Sequence, residues 1–238
     1  MSEHAFSRTE QLLGTTALAR LAAARVAVFG IGGVGGYAAE ALARSGVGAL
    51  DLVDNDTVSI TNLNRQIVAL HSTVGQYKVD VMKARIADIS PQTKVTTHRV
   101  FFLPETADSF DFSQYDYVID AVDTVSAKLS IIEKAVAANV PVISCMGTGN
   151  KMDPTALQIT DIAKTSGCPL ARVMRRELRA RGIMHLPVVF SGEQPFRAVA
   201  AQKDETSGKM PPASAVFVPA TAGLLLANEV VRTLTQNV

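Results

Sequence analysis

The sequence predicts an α/β fold built on a doubly wound, mainly parallel Rossmann-like sheet, and three features lead to it. Apolar runs of strand length alternate with helix-patterned segments as far as Gly147, which is the pattern of βαβ units. The first of these runs, Val26–Phe29, feeds directly into the glycine turn GIGGVGG at residues 30–36 and then a helix. With 238 residues, 47% of them hydrophobic and 19% charged, the chain can bury a substantial core.

Two short helices are expected ahead of the sheet, around Ser7–Leu13 and Ala17–Ala23. Strands are expected at Val26–Phe29, Ala49–Val53, Val95–Arg99, Tyr117–Asp120 and Val140–Ser144, with helices at Gly33–Ser45, Tyr77–Ile89 and Val125–Asn139 between them. Asp123 and Thr124 stand before the last of these helices and Pro141 follows it, as start and stop signals do. Beyond Gly147 a glycine loop leads to a strand at Ala156–Thr160, a helix at Pro169–Arg181 opening on proline, and a strand at Leu186–Phe190. The segment Ser191–Ala215, rich in Gly, Pro, Ser and charge, reads as a long mobile crossover loop. Val216–Val231 reads as a C-terminal helix packed on the sheet: it falls short of the roughly 20 residues that span a bilayer and contains Pro219 and Glu229. One unit over 1–238 is expected, with N-terminal helices at 6–24, a nucleotide-binding core at 25–152 and a strand–helix extension at 153–238.

Composition excludes several classes of function. A formal net charge of +1 leaves no bulk attraction for polyanions, so any nucleic-acid contact must come from a local patch. The two cysteines, Cys145 and Cys168, form no CxxC pair, which excludes a disulfide framework and a cysteine zinc site and fits a reducing cytosol. The polar amino terminus MSEHAFSRTEQ lacks the apolar stretch of a signal peptide. A cytoplasmic protein with no stable membrane insertion is expected.

Gly30, Gly32 and Gly35 form GxGxxG, with Gly33 and Gly36 added. Such glycines allow a tight turn, close approach of backbone to phosphate, and close packing of helix on strand. Asp54 ends the second strand, where a carboxylate accepts bonds from ribose hydroxyls; Asp56 reads equally as a ribose or metal group and as a loop cap. These features serve NAD and ATP sites alike. Asn62, Arg65, Gln66 and Lys78 favour a triphosphate, because cleaving one requires cations on the departing pyrophosphate. Asp120 and Asp123, in VIDAVDT at the carboxyl end of a strand, offer carboxylates for Mg²⁺, with Asp123 the better placed as it opens the next helix; Lys128 is a weaker candidate for the same site.

Arg172, Arg175, Arg176, Arg179 and Arg181, with Lys164 upstream, make the densest basic cluster, and spacings of three and four put several on one helix face. Such a face reads either as solvated charge or as a phosphate-binding surface. Cys168, just before the Pro169 helix start, reads as a packing residue or as a thiol activated by the helix terminus, and Cys145 as a buried, inert one.

The order GxGGxG, DxDxVxxxNxxRQ, GxxK and DAxD resembles the adenylation signature of the ubiquitin-activating superfamily from Phe6 to about Met152. Within it, FSRTEQLLG, GVGGYAAEALARSGVG, YDYVIDAVDTVSAK, KMDPTALQITDIAKT and CPLARVMRRELRARGI are similar to the tRNA threonylcarbamoyladenosine dehydratases nearly end to end. The resemblance implies one adenylation domain that holds ATP and Mg²⁺ through Gly30, Gly32, Gly33, Gly35, Asp54, Asp56, Asn62, Arg65, Lys78 and Asp123. It matches Arg8 to an arginine that superfamily members insert into the partner protomer's site, so a homodimer is implied. It further implies a tRNA substrate whose threonyl carboxylate is adenylated and then captured by the carbamoyl group beside it. A monovalent cation and a cysteine-desulfurase sulfur-acceptor partner stay open. So do three other readings: an adenylyltransferase for a ubiquitin-like sulfur carrier of the molybdopterin or thiamin type, an NAD-linked oxidoreductase, and a non-catalytic RNA-binding protein. The sulfur-carrier reading lacks the paired CxxC motifs common among those activators, and no cysteine stands in Ser191–Ala215 to form a thioester.

Overall fold

Side chains alternate along β1 (Arg25–Phe29), and the alternation sets the layers of the fold. Val26 and Val28 join one apolar cluster, Ala27 and Phe29 the other, as the strand period of two requires. In the computed structural model, which describes residues 4–196 and 212–235, β1 lies inside a seven-stranded sheet. The others are β2 (Ala49–Val53), β3 (Lys94–His98), β4 (Tyr117–Asp120), β5 (Val142–Cys145), β6 (Leu157–Asp161) and β7 (Pro187–Ser191). Their order is β3-β2-β1-β4-β5-β7-β6, and every pairing is parallel except β6 with β7. The inner strands are buried on both faces, which is why they read as nearly unbroken apolar runs.

Helices α1 (Ser7–Leu13) and α2 (Thr15–Ala23) precede the sheet. α3 (Gly35–Arg44), α4 (Lys78–Ile89) and α7 (Phe217–Thr235) cover one face with α2, through Leu21, Leu42, Met82, Ile86, Leu226 and Val230. α5 (Val125–Ala137) and α6 (Pro169–Ala180) cover the other, with a group of rings in which Phe29 meets Phe102 at 4.9 Å and Phe112 at 5.6 Å between centroids. α7 crosses α3 closely enough that a Cβ on Gly223 would overlap the carbonyl oxygen of Val34. Pro219 lies in the first turn of α7, where no intrahelical N–H is needed.

The expected elements are all present, with shifted ends. β5 begins at Val142 rather than Val140, since Pro141 has no N–H for the ladder and contributes only its carbonyl, to the N–H of Val118. β7 runs through Ser191, and α7 runs past Val231 to Thr235. The C-terminal strands extend the main sheet, β7 beside β5 and β6 at the edge. Of the expected crossover loop, residues 197–211 lie outside the described residues. Among the described residues no helix is long and apolar enough to cross a membrane.

Asp51 is the one carboxylate of β2, 1% exposed, on the face opposite Leu50 and Leu52. Arg25 donates to it from Nε (2.7 Å) and Nη2 (3.0 Å), and His98 Nε2 lies 2.9 Å from Oδ1. Burial works against its ionisation, but the bonds from His98 and Arg25 prevail and hold its pKa below the ordinary 3.8. A carboxyl depressed in the folded state stabilises the fold above its unfolded pKa, and that contribution disappears as pH falls through the folded one. Urea midpoints should therefore drop for the wild type between near-neutral pH and about pH 3, with a shallower drop for Asp51→Asn, which starts from a lower midpoint. Equal acid slopes for the two proteins would contradict this.

Candidate active site

The strand order reverses between β1 and β4, the place where doubly wound sheets open a crevice at their carboxyl ends. A cavity of about 470 Å³ opens there, lined from the ends of β1 (Gly30), β2 (Val53, Asp54), β4 (Ala121, Asp123) and β5 (Cys145, Met146). Two glycines of the turn are demanded by space. Gly30 has φ +88°, and a Cβ there would sit 2.7 Å from the carbonyl oxygen of Ala121; a Cβ on Gly35 would overlap the carbonyl of Gly30. Gly32 and Gly33 have room, and their bare backbone lines the cavity. Asp54 fastens the turn to the following loop: Oδ2 accepts the N–H of Ile31 at 2.7 Å and Oδ1 that of Asp56 at 2.8 Å. Its pKa is raised, first by burial, with the charge of Lys78 opposing.

The cationic side comes from the Asp54–Lys78 stretch. Lys78, buried at the start of α4, donates Nζ to Asp56 Oδ2 at 2.6 Å, and its own N–H bonds the Asp56 carbonyl at 3.0 Å. Arg65 is half-buried, its Nη1 donating to the Thr61 carbonyl and to Asn64 Oδ1, both at 2.9 Å. Asn62 is occupied structurally as well: its Oδ1 accepts the Ser59 N–H at 3.0 Å in a capping box. Gln66 differs. It is only 8% exposed and lines the cavity, and its Oε1 is the one buried side-chain polar atom among the described residues without a hydrogen-bond partner. An acceptor left bare in this way favours a donor-bearing ligand, such as a hydroxyl or an amino group. With the open glycine backbone and two nearby cations, the residues fit a nucleotide that carries several phosphates.

The carboxylates of VIDAVDT divide in two. Asp123 is exposed at the cavity wall, and its recorded hydrogen bond comes from Thr124 Oγ1 at a long 3.4 Å. Thr124, not Asp123, is the N-cap residue of α5. Asp120, the lesser of the two candidates for Mg²⁺, does not line the cavity. It is fully buried and accepts from Lys128 Nζ at 3.0 Å, Ser144 Oγ at 2.5 Å and the Val122 N–H at 3.3 Å. Lys128, also fully buried, is held there and does not line the cavity. Eight positions along the chain, from strand end to helix, bring these two charges face to face inside the protein. Among the described residues no group of three or more metal-ligating side chains occurs. A lone hard carboxylate beside a phosphate cradle suits Mg²⁺, which is commonly held by one or two carboxylates plus the phosphates themselves.

Arg8 is exposed on α1 and does not line the cavity of its own chain. Arg172, Arg175, Arg176 and Arg179 line a second recess, while Arg181 turns away to Glu177 and Glu133. Neither thiol is exposed. Cys145 lies at the cavity floor with its pKa pushed up to about 12 by burial, and Cys168 is buried at the N-cap of α6. Sequence reading missed the far wall: Val100, Phe101 and Phe102 on one side, Gly147–Gly149, Pro212, Ser214 and Pro219 on another. Asn64 Nδ2 donates to the Ser214 carbonyl at 2.8 Å, and Asn150 Oδ1 accepts the Ala213 N–H at 2.8 Å, so the end of the crossover segment is pinned beside the site. The glycine pair 147 and 149 after a strand was the available signal. Lys151 was also missed; it is buried, donates Nζ to the Ser191 carbonyl at 2.9 Å, and has its pKa lowered by burial.

A model of the ThiF family matches residues 6–237. A Bacillus subtilis (strain 168) protein called tRNA threonylcarbamoyladenosine dehydratase is 47% identical, over 99% of this chain and 96% of its own. The crystal structure of E. coli tRNA N6-threonylcarbamoyladenosine dehydratase, TcdA, in complex with ATP is similar at a TM-score of 0.87 and 37% identity, covering 98% of this chain and 94% of that one. An adenylyltransferase and sulfurtransferase UBA4 of Candida glabrata is 34% identical, over 65% of this chain and 36% of its own length.

Proposed function

Because the chain belongs to the ThiF family, we propose that it is an ATP-dependent dehydratase acting on N6-threonylcarbamoyladenosine in tRNA. The observation that carries this reading is the cavity at the β1/β4 switch point, where a bare glycine turn, Lys78, Arg65 and the free-standing carboxylate of Asp123 meet. Near full-length similarity to dehydratases, against a partial match to UBA4, supports the same choice.

A carboxylate resists attack because its leaving group would be oxide. Here a threonyl carboxylate oxygen bonds the α-phosphorus of ATP as the bond to the β-phosphate oxygen breaks, and pyrophosphate departs. Arg65 and Lys78 stabilise the charge that grows on it, an effect of the kind that is largest in sites with preorganised dipoles and charges. Lys78 must share its ammonium between Asp56 and phosphate, and the half-exposed Asp56 turns to water as it does so. Asp123 is the residue that would hold Mg²⁺. When bound, that ion supplies positive charge to the phosphate oxygens. The carbamoyl group of the same nucleoside then attacks the activated carbon. One carboxylate oxygen leaves with AMP, the carbamoyl group gives up a proton, and the nucleoside is lighter by one water. That nucleophile is tethered, with an effective concentration on the order of 10⁵ M or more, so the protein need only position it.

The chemistry needs no protein thiol, in keeping with two buried cysteines. A second copy of the chain belongs to the proposal, with Arg8 of each protomer reaching the other's cavity as a third cation. The cytoplasm, where tRNA is found, is the natural setting. Mass spectrometry of nucleosides from tRNA incubated with protein, ATP and Mg²⁺ tests the reading. The expected result is conversion of threonylcarbamoyladenosine to a species lighter by one water, with AMP and pyrophosphate formed in equal amounts. An unaltered nucleoside under conditions where ATP demonstrably binds would overturn it.

A further inference from the structure

A second recess, of about 480 Å³, lies along α6 away from the nucleotide cavity. Arg172, Arg175, Arg176 and Arg179 line it together with Ile162, Ala163, Ile183 and Met184, and no carboxylate does. Four guanidinium groups around one hollow give it a positive potential that concentrates anions there. The arginines are not equivalent. Arg175 is fixed, its Nη1 donating to the Thr165 carbonyl (2.7 Å) and Oγ1 (2.6 Å). Arg176 leans on Glu177 but stays exposed. Among the described residues Arg172 and Arg179 pair with no carboxylate, and both are exposed. The rest of the lining is apolar, with Met184 47% exposed.

The position of α6 connects this recess to the chemistry. A Cβ on Gly147, a cavity residue, would lie 3.7 Å from Cys168 Sγ and 3.8 Å from Leu170 Cβ, so α6 starts at the rim of the nucleotide cavity. At 1.5 Å per residue, Arg172 stands about 6 Å and Arg179 about 16 Å from that rim, a line along which a few nucleotides of a strand can run.

We propose that this recess is an RNA-docking subsite for the strand that flanks the modified adenosine. Phosphates contact Arg172, Arg176 and Arg179, while an unstacked base lies against Ile183 and Met184 with the Arg175 plane beside it. Single-stranded RNA is bound in this manner, by cations that track the backbone and flat or apolar surfaces that take a base. The inference rests on the reading of the substrate as tRNA, and it commits to RNA over an acidic protein because of the apolar wall set among the guanidinium groups. Arg181, paired with Glu177 and Glu133, takes no part.

Binding of a fluorescently labelled anticodon stem-loop, followed across a salt series, separates the possibilities. R172Q/R179Q should weaken binding at least tenfold and flatten the plot of log affinity against log salt by about 0.7 per lost phosphate contact, while leaving ATP affinity unchanged. M184E, which keeps every arginine but puts a carboxylate into the recess, should also weaken binding, and R181Q should not. If wild type and R172Q/R179Q bind the stem-loop with equal affinity and equal salt slope, the docking inference is overturned and the dehydratase reading stands. If R172Q/R179Q instead loses only a complex with an acidic sulfur-acceptor protein, the recess is a protein site and the inference is again overturned. If wild type binds no RNA at any salt, the tRNA reading itself falls.

Discussion

Lys78→Met is expected to slow pyrophosphate release by about two to three orders of magnitude in a single turnover, the loss typical when one preorganised stabiliser of developing charge is removed. Methionine keeps the length and packing of a buried side chain, so α4 should remain in place. The change orphans Asp56, whose side chain is 58% exposed and finds water, and it takes a nearby positive charge from buried Asp54, which keeps the N–H bonds of Ile31 and Asp56. Activity should therefore fall far more than stability. Lys78→Arg, with its charge kept and its geometry changed, should recover part of the rate. Rapid-quench measurement of AMP and pyrophosphate with saturating ATP and tRNA checks this. A rate within a few-fold of wild type would mean that Lys78 only ties α4 to the Asp54–Asp56 loop.

The largest expected effect on stability is at the interior ion pair. Lys128 and Asp120 are both fully buried, so Lys128→Met or Asp120→Asn alone should cost about 3–5 kcal/mol, since either leaves one member of the pair deep in the protein without its counterpart. Asp120→Leu combined with Lys128→Met should restore much of the loss, because apolar replacement of both members removes the desolvation cost of both charges. Urea denaturation of the four proteins, with the slope checked for constancy, measures it. A single-substitution cost below about 1 kcal/mol, as for surface pairs, would show that the pair is not dry. Asp120 also accepts from Ser144 and the Val122 N–H, so its loss should loosen the turn that carries Asp123.

The contrast between Asp123 and Asp120 marks where the sequence could be read and where it could not. Strands such as Ala49–Val53 and Tyr117–Asp120 were legible because strands covered on both faces are apolar along most of their length, the paired Asp51 and Asp120 being the exceptions. The glycine turn was legible because Gly30 and Gly35 answer a local steric demand. Asp120 and Lys128 were misread because charge in a sequence ordinarily means exposure, and only the meeting of β4, β5 and α5 takes both groups out of water. Arg181 was grouped with its neighbours by helical spacing, yet α6 ends at Ala180 and the chain turns there toward Glu133. The cavity wall made by Phe101, Pro212 and Ser214 comes from segments far apart along the chain, where no local pattern reports proximity. Gln66 was picked as part of a motif, but its unsatisfied oxygen is a property of packing alone.

Pro219, in the first turn of α7, lines the nucleotide cavity and rests 3.5 Å from where a Cβ on Gly33 would be. The glycine turn is thus closed by a helix that follows every strand of the sheet. On the ribosome, all seven strands emerge before the helix that completes the cavity wall. A product that stops short of Pro219 therefore lacks that part of the wall around the glycine turn.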